Sequence, residues 1–223
     1  MMVSPNIFYE NELKGKTPEK IAIKIRSLKR KMGHLKKMIE HPDYSNMVET
    51  CPGEDVRLHF TRLYLERAIA AYHEAGGTYQ LNKNEQRVVA FNESIPMITK
   101  IVFSIGGFFE GYKTYTLIIG KDGMRRYVDS SFCPSEAENP KMESEYPFTK
   151  EEFFEKFRDI HIGEWHKHYF EHMCDGMQWE LMIEYADGRK AVYDGSNASP
   201  FSFDQFCELI EYEEESEDEP ENE

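Results

Sequence analysis

Apolar residues recur between positions 17 and 41 at Ile21, Ile25, Leu28, Met32, Leu35 and Ile39, alternately four and three residues apart. That rhythm places them on one helix face as a heptad seam of about three repeats. Thr17 and Pro18 suit the N-cap and first helical position, Glu19 complements the first turn, and Pro42 ends the helix. Residues 42–54 read as a loop. A second helix is predicted from Asp55 to Ala75, with Phe60, Leu63, Tyr64, Ala68, Ala71 and Ala75 on its apolar face and Gly76 and Gly77 as a stop. Its alanines permit close approach, so 17–77 reads as an αα-hairpin behind an N-terminal arm, 1–16.

The period then changes. Tyr115, Leu117 and Ile119 alternate with other residues before a turn at Asp122 and Gly123; Trp179, Leu181 and Ile183 do the same before Asp187 and Gly188. Alternation is the mark of a half-buried strand, and Asp-Gly of a hairpin turn. A helix follows each pair, with Thr149 and Ser202 as expected N-caps. Phe153, Phe154 and Phe157 form one buried face, and Phe206, Leu209 and Ile210 the other. A further strand is expected at Ile98–Ile105, and a polar insertion spans Pro134–Pro147. The expected fold is α+β: an N-terminal αα-hairpin, then two ββα units forming one antiparallel sheet with helices on one face, over 78–212. A tandem duplication is the simplest origin of that pattern.

Composition narrows the setting. The chain is 40% hydrophobic, as globular proteins are, and its longest apolar run, Ile98–Phe109, is interrupted and far shorter than a membrane span of about 20 residues. Met1–Glu12 does not have the pattern of a secretory signal. Cys51, Cys133, Cys174 and Cys207 are widely spaced, which suits reduced thiols in a cytoplasmic protein. Nothing in the pattern implies a cofactor or a membrane partner, or fixes an oligomeric state.

Charge is divided sharply. Residues 14–37 carry +9 in a chain of net charge −14, and residues 78–223 carry −17. Residues 213–223 form an acidic tail too polar to bury a core, so disorder is expected there. The basic helix presents Lys24, Lys29, Arg30, Lys31 and Lys37 around its seam. The second helix is nearly neutral and cannot balance it. A protein partner or a phosphate backbone are both suitable counterparts.

Three stretches are candidates for chemistry. His161, His166, His168 and His172 precede Cys174, and His168 and His172 are spaced to share a helix face, as zinc ligands do. The order His168, Tyr169, Phe170, Glu171, His172 lacks the His-Glu-x-x-His arrangement of a zinc protease. Asp175, Gly176 and Trp179, with Asp194, Gly195, Ser196, Asn197 and Pro200, form paired turns that are either structural or a ligand-recognition loop. Phe108, Phe109 and Tyr112, among glycines, suit a wide hairpin or a partner-binding loop. The chain contains no P-loop, nucleophile elbow or kinase motif.

The run Asp175, Gly176, Trp179, Leu181, Ile183, then Asp187, Gly188, then Gly195, Ser196, Asn197, Ala198, Pro200, resembles a group of uncharacterised proteins of Clostridia and their mobile elements. The opening Gly15, Lys16, Thr17, Pro18 resembles a module recurrent in that group. The resemblance implies a small accessory protein of the mobile-element or host-defence type, anti-CRISPR-like in role, and transfers no catalytic residue. The expected function is therefore non-enzymatic: an interaction or inhibitor protein whose acidic surface contacts a nucleic-acid-binding partner. The alternatives are nucleic-acid binding through 14–37 and a metal-dependent enzyme built on His161–Cys174.

Overall fold

The computed structural model describes residues 2–44, 51–107, 109, 111–121, 123–131, 142–172 and 176–210, with the backbone alone for 142–145. The expected acidic tail, Phe108, Asp122, Cys133, Cys174 and Asp175 lie outside the described residues. The chain divides into two compact units, Met1–Glu85 and Gln86–Glu223.

The first unit is helical. Helix α1 (Pro5–Glu12) starts at Ser4, whose hydroxyl accepts the Ile7 N–H at 3.3 Å; the sequence reading gave this stretch as an arm. Helix α2 (Pro18–Ile39) buries Ile21, Ile25, Leu28 and Leu35, and helix α3 (Glu54–Glu74) buries Leu58, Thr61, Tyr64, Ala68 and Ala71. Side chains from all three helices share one core, in which the Phe8 and Tyr64 rings stack at 4.4 Å. Each fully buried Ile, Leu or Phe there contributes about 1.5–3 kcal/mol. The Tyr64 hydroxyl accepts the Val3 N–H at 3.1 Å and donates to the Val3 carbonyl at 2.6 Å, tying down the N-terminus. Thr17 occupies the N-cap but makes no capping bond to the helix backbone; its side chain pairs with Glu19 instead.

Helix α4 (Lys83–Ser94) leads from one unit into the other, and its start is organised by Asn82, whose Oδ1 accepts the Asn84 and Glu85 N–H groups at 2.9 and 3.0 Å. The second unit holds seven strands: β1 (Ile98–Gly107), β2 (Gly111–Ile119), β3 (Met124–Ser131), β4 (Met142–Glu145), β5 (His168–Phe170), β6 (Gln178–Tyr185) and β7 (Lys190–Ser196). They form one sheet in the order β4-β3-β2-β1-β6-β7-β5. All pairings are antiparallel except β5 with β7, so the sheet is mixed and not the wholly antiparallel one expected. Helices α5 (Lys150–Asp159) and α6 (Phe203–Ile210) lie beside each other. Phe203 and Phe206 meet Phe103 of β1 edge-on at 5.9 and 5.0 Å, and Tyr146 donates to the Leu209 carbonyl.

Two local expectations have instructive outcomes. Thr149 forms a full capping box with Glu152 at the start of α5. Ser202 does not cap α6 through its side chain. Its hydroxyl is buried, accepting from Trp165 Nε1 at 2.9 Å and donating to the Ile160 carbonyl at 2.6 Å. A buried indole N–H needs an acceptor, and that requirement takes the hydroxyl from the helix end.

Topology also corrects the duplication reading. Tyr115 and Leu181 both oppose Phe103 across antiparallel pairings, so all three side chains share the apolar face. Strands β2 and β6 therefore run in the same direction on opposite sides of β1. Their partners β3 and β7 lie outward, to opposite sides. No rotation superposes the two hairpins with both apolar faces inward. The matching apolar positions reflect two strands meeting the same burial demand.

Candidate functional site

The face of the sheet opposite the apolar one carries the candidate site. Because neighbours in register point the same way, the strand pairings build continuous rows across it. One row runs Asp129, Thr114, Ser104, Glu180, Asp194, His168, each from a different strand and each opposite the next. The adjacent row runs Ser131, Tyr112, Gly106, Gln178, Ser196, Phe170. Ser104 and Thr114 are buried and share a hydrogen bond of 3.0 Å, so the middle of the first row is internally satisfied. Tyr112 donates to Gln178 Oε1 at 2.8 Å, bridging over Gly106. A Cβ at Gly106 would lie 2.0 Å from the Gly111 carbonyl oxygen, which explains the glycine there.

Between these rows lies a groove of about 570 Å³, lined by Tyr112, His168, Phe170, Glu180, Asp194 and Ser196 among others. Its rim is aromatic: Phe170 is 63% exposed, and the His172 ring meets it edge-on at 4.8 Å. Two of its polar groups are carboxylates. Glu180 and Asp194 are both in the lining, which contains no Lys or Arg. His168 Nδ1 is 2.7 Å from Asp194 Oδ1. In a neutral ring the Nδ1–H then donates to the carboxylate and leaves Nε2 as an acceptor.

The paired-turn motif holds one end of this groove. Trp179 Nε1 donates to the Ala198 carbonyl at 2.9 Å, and the Asn197 N–H donates to the Met177 carbonyl at 2.8 Å. Asn197 adopts a left-handed backbone with φ of 57°. A Cβ on Gly195 would fall 2.2 Å from Trp179 Nε1, and one on Gly176 would fall 1.8 Å from Asn197 Oδ1. Close approach of the Trp179 ring and the Ala198 carbonyl demands the glycine at 195, and the motif is a clasp between β6 and the end of β7. Beneath it, burial pushes the Tyr193 phenol well above its ordinary range, and Lys167 lies over that ring at 3.7 Å. Burial, then the nearby Arg87, lowers the Lys167 ammonium.

Of the residues singled out from the sequence, Tyr112, Trp179, Ser196 and His168 line the groove and Asn197 sits in its clasp. Phe109 is 74% exposed at the connection between β1 and β2. The helical reading of 168–172 is corrected: His168 lies on strand β5 and His172 just beyond it, so the two do not share a helix face. Short parallel pairing with β7 fixes that segment as extended. Among the described residues no three His, Cys, Asp or Glu side chains gather where they could hold a metal ion.

Lys24, Lys29, Arg30, Lys31 and Lys37 belong to the first unit. Lys24 pairs with Glu12 at 3.0 Å and Lys29 with Glu85 at 2.5 Å; Arg30, Lys31 and Lys37 are exposed. Sequence alone does not single out Glu180 or Phe170. Their alternation along β6 and β5 was the available signal, but only register brings them together.

The chain matches no known protein family, no curated protein and no solved structure. Among the described residues no helix is long and apolar enough to cross a membrane.

Proposed function

We propose that this chain is a non-enzymatic interaction protein whose second unit engages a basic segment of a nucleic-acid-binding partner. The observation that carries this reading is the groove on the open sheet face, with two carboxylates, an exposed aromatic rim and no lysine or arginine in its lining. Aromatic faces attract cations, and a guanidinium between carboxylates gains charge-assisted hydrogen bonds. The net charge of −17 over residues 78–223 adds long-range steering toward a positive surface. An inhibitor of the mobile-element or host-defence type would use such a surface to cover a site meant for phosphate.

Calorimetric titration with an arginine-rich peptide tests the reading. Binding at low salt is expected, weakened at least tenfold when Glu180→Gln and Asp194→Asn are combined. Absence of binding at low salt, or affinity untouched by that double substitution, overturns it.

A further inference from the structure

The cations of α2 are sorted into two groups. Two of those beside the seam are neutralised within the first unit, Lys24 by Glu12 and Lys29 by Glu85, with Lys14 just upstream held by Glu10. Lys29 also lies 4.9 Å over the Tyr79 ring. Those on the outer face are not. Lys20, Arg26, Arg30 and Lys37 are all exposed, and no carboxylate of the described residues holds any of them. With a rise of about 1.5 Å per residue, Lys20 to Lys37 spans about 26 Å of helix.

One further observation points to an anion on that face. Gly33 sits in the middle of α2 between Arg30 and Lys37, exposed, with no atom within 4 Å of where its Cβ would be. No packing requires a glycine there, and mid-helix glycine costs about 1 kcal/mol relative to alanine. A missing side chain does let a polymer backbone approach the helix closely.

We propose that the outer face of α2 binds the phosphate backbone of a nucleic acid. Several cations along one helix face match a polymer that carries charge all along its length. The apolar face of α2 is committed to the bundle through Ile21, Ile25, Leu28 and Leu35, so it is not available to enter a lipid surface. This surface lies in the first unit and does not depend on the groove of the second.

The test is fluorescence anisotropy of the full chain with a labelled 24-base-pair duplex across a salt series. Contact with about four phosphates gives a slope of log affinity against log salt near −4. Combined Arg26→Glu, Arg30→Glu and Lys37→Glu is expected to lower affinity more than tenfold at low salt and flatten the slope. Gly33→Leu is expected to weaken binding while leaving the melting temperature unchanged or higher, separating backbone approach from folding. No binding at 50 mM salt, affinity unchanged by the triple reversal, or binding to anionic vesicles in place of the duplex would each overturn the proposal. Retained duplex binding in the Glu180→Gln, Asp194→Asn protein is expected and keeps this result distinct from that of the groove.

Discussion

The helical unit and the sheet unit handle charge in opposite ways. In the first, acids sit one by one beside the cations that flank the seam, and the outer cations are left to solvent. In the second, carboxylates gather in one row across the open face, where strand pairing places them. The contrast follows from geometry. A helix fixes charge spacing locally, so sequence alone sets its stripe. A sheet assembles its rows from strands distant in the chain, so the same residues acquire neighbours only after register is set.

The largest test of this contrast separates the two cores. Trp165→Ala removes a ring that is 1% exposed and packed against Trp179, Tyr193 and Phe206. It should cost about 3–5 kcal/mol in the sheet unit. Phe8→Ala should cost a similar amount in the helical unit. Calorimetry of each variant should show one transition lowered and the other retained. A common shift of both would break the comparison.

A smaller effect is expected at the clasp. Gly195→Ala drives a Cβ into the Trp179 indole and the Ala198 carbonyl. A loss of about 1–3 kcal/mol is expected, with altered tryptophan fluorescence as the local report. Unchanged stability and emission would show that the turn moves aside. Smaller again, Thr149→Ala removes the capping box of α5 and should cost about 1 kcal/mol by urea unfolding of the sheet unit.

The finest effect is a pH dependence confined to the helical unit. Burial alone would raise Glu85, but hydrogen bonds from Lys29, Tyr79 and the Asn82 N–H outweigh it and hold the carboxyl below its ordinary value of 4.5. A folded-state value that is depressed stabilises the fold above 4.5, and that contribution is lost as pH falls through the folded value. Glu85→Gln should therefore lower stability at pH 7 and flatten the acid side of the unfolding profile. An identical profile for both proteins would remove Lys29–Glu85 from the account.

How much was legible varies with the distance over which each feature is specified. Ile21, Ile25, Leu28 and Leu35 announced the seam of α2, and Thr149 with Glu152 announced the start of α5, because caps and helix faces are encoded within a few residues. Helix α4 was missed, since its start rests on Asn82 and its weakly apolar face gives little periodic signal. Ser202 looked like a cap, but Trp165, 37 residues earlier, claimed its hydroxyl. His168 looked helical by spacing, yet pairing with Asp194 made it a strand residue.

Local sequence encodes the helical unit's seam, the positions of the cations around α2 and the two Asp-Gly hairpins. Local spacing and turn chemistry suffice for those. Long-range packing sets the opposite hand of the hairpins about β1, the parallel edge strand β5, and the meeting of Glu180, Asp194 and His168 in one groove. Such choices rest on cross-strand register and on competition for buried hydrogen-bond partners, which residues far apart in the chain settle together.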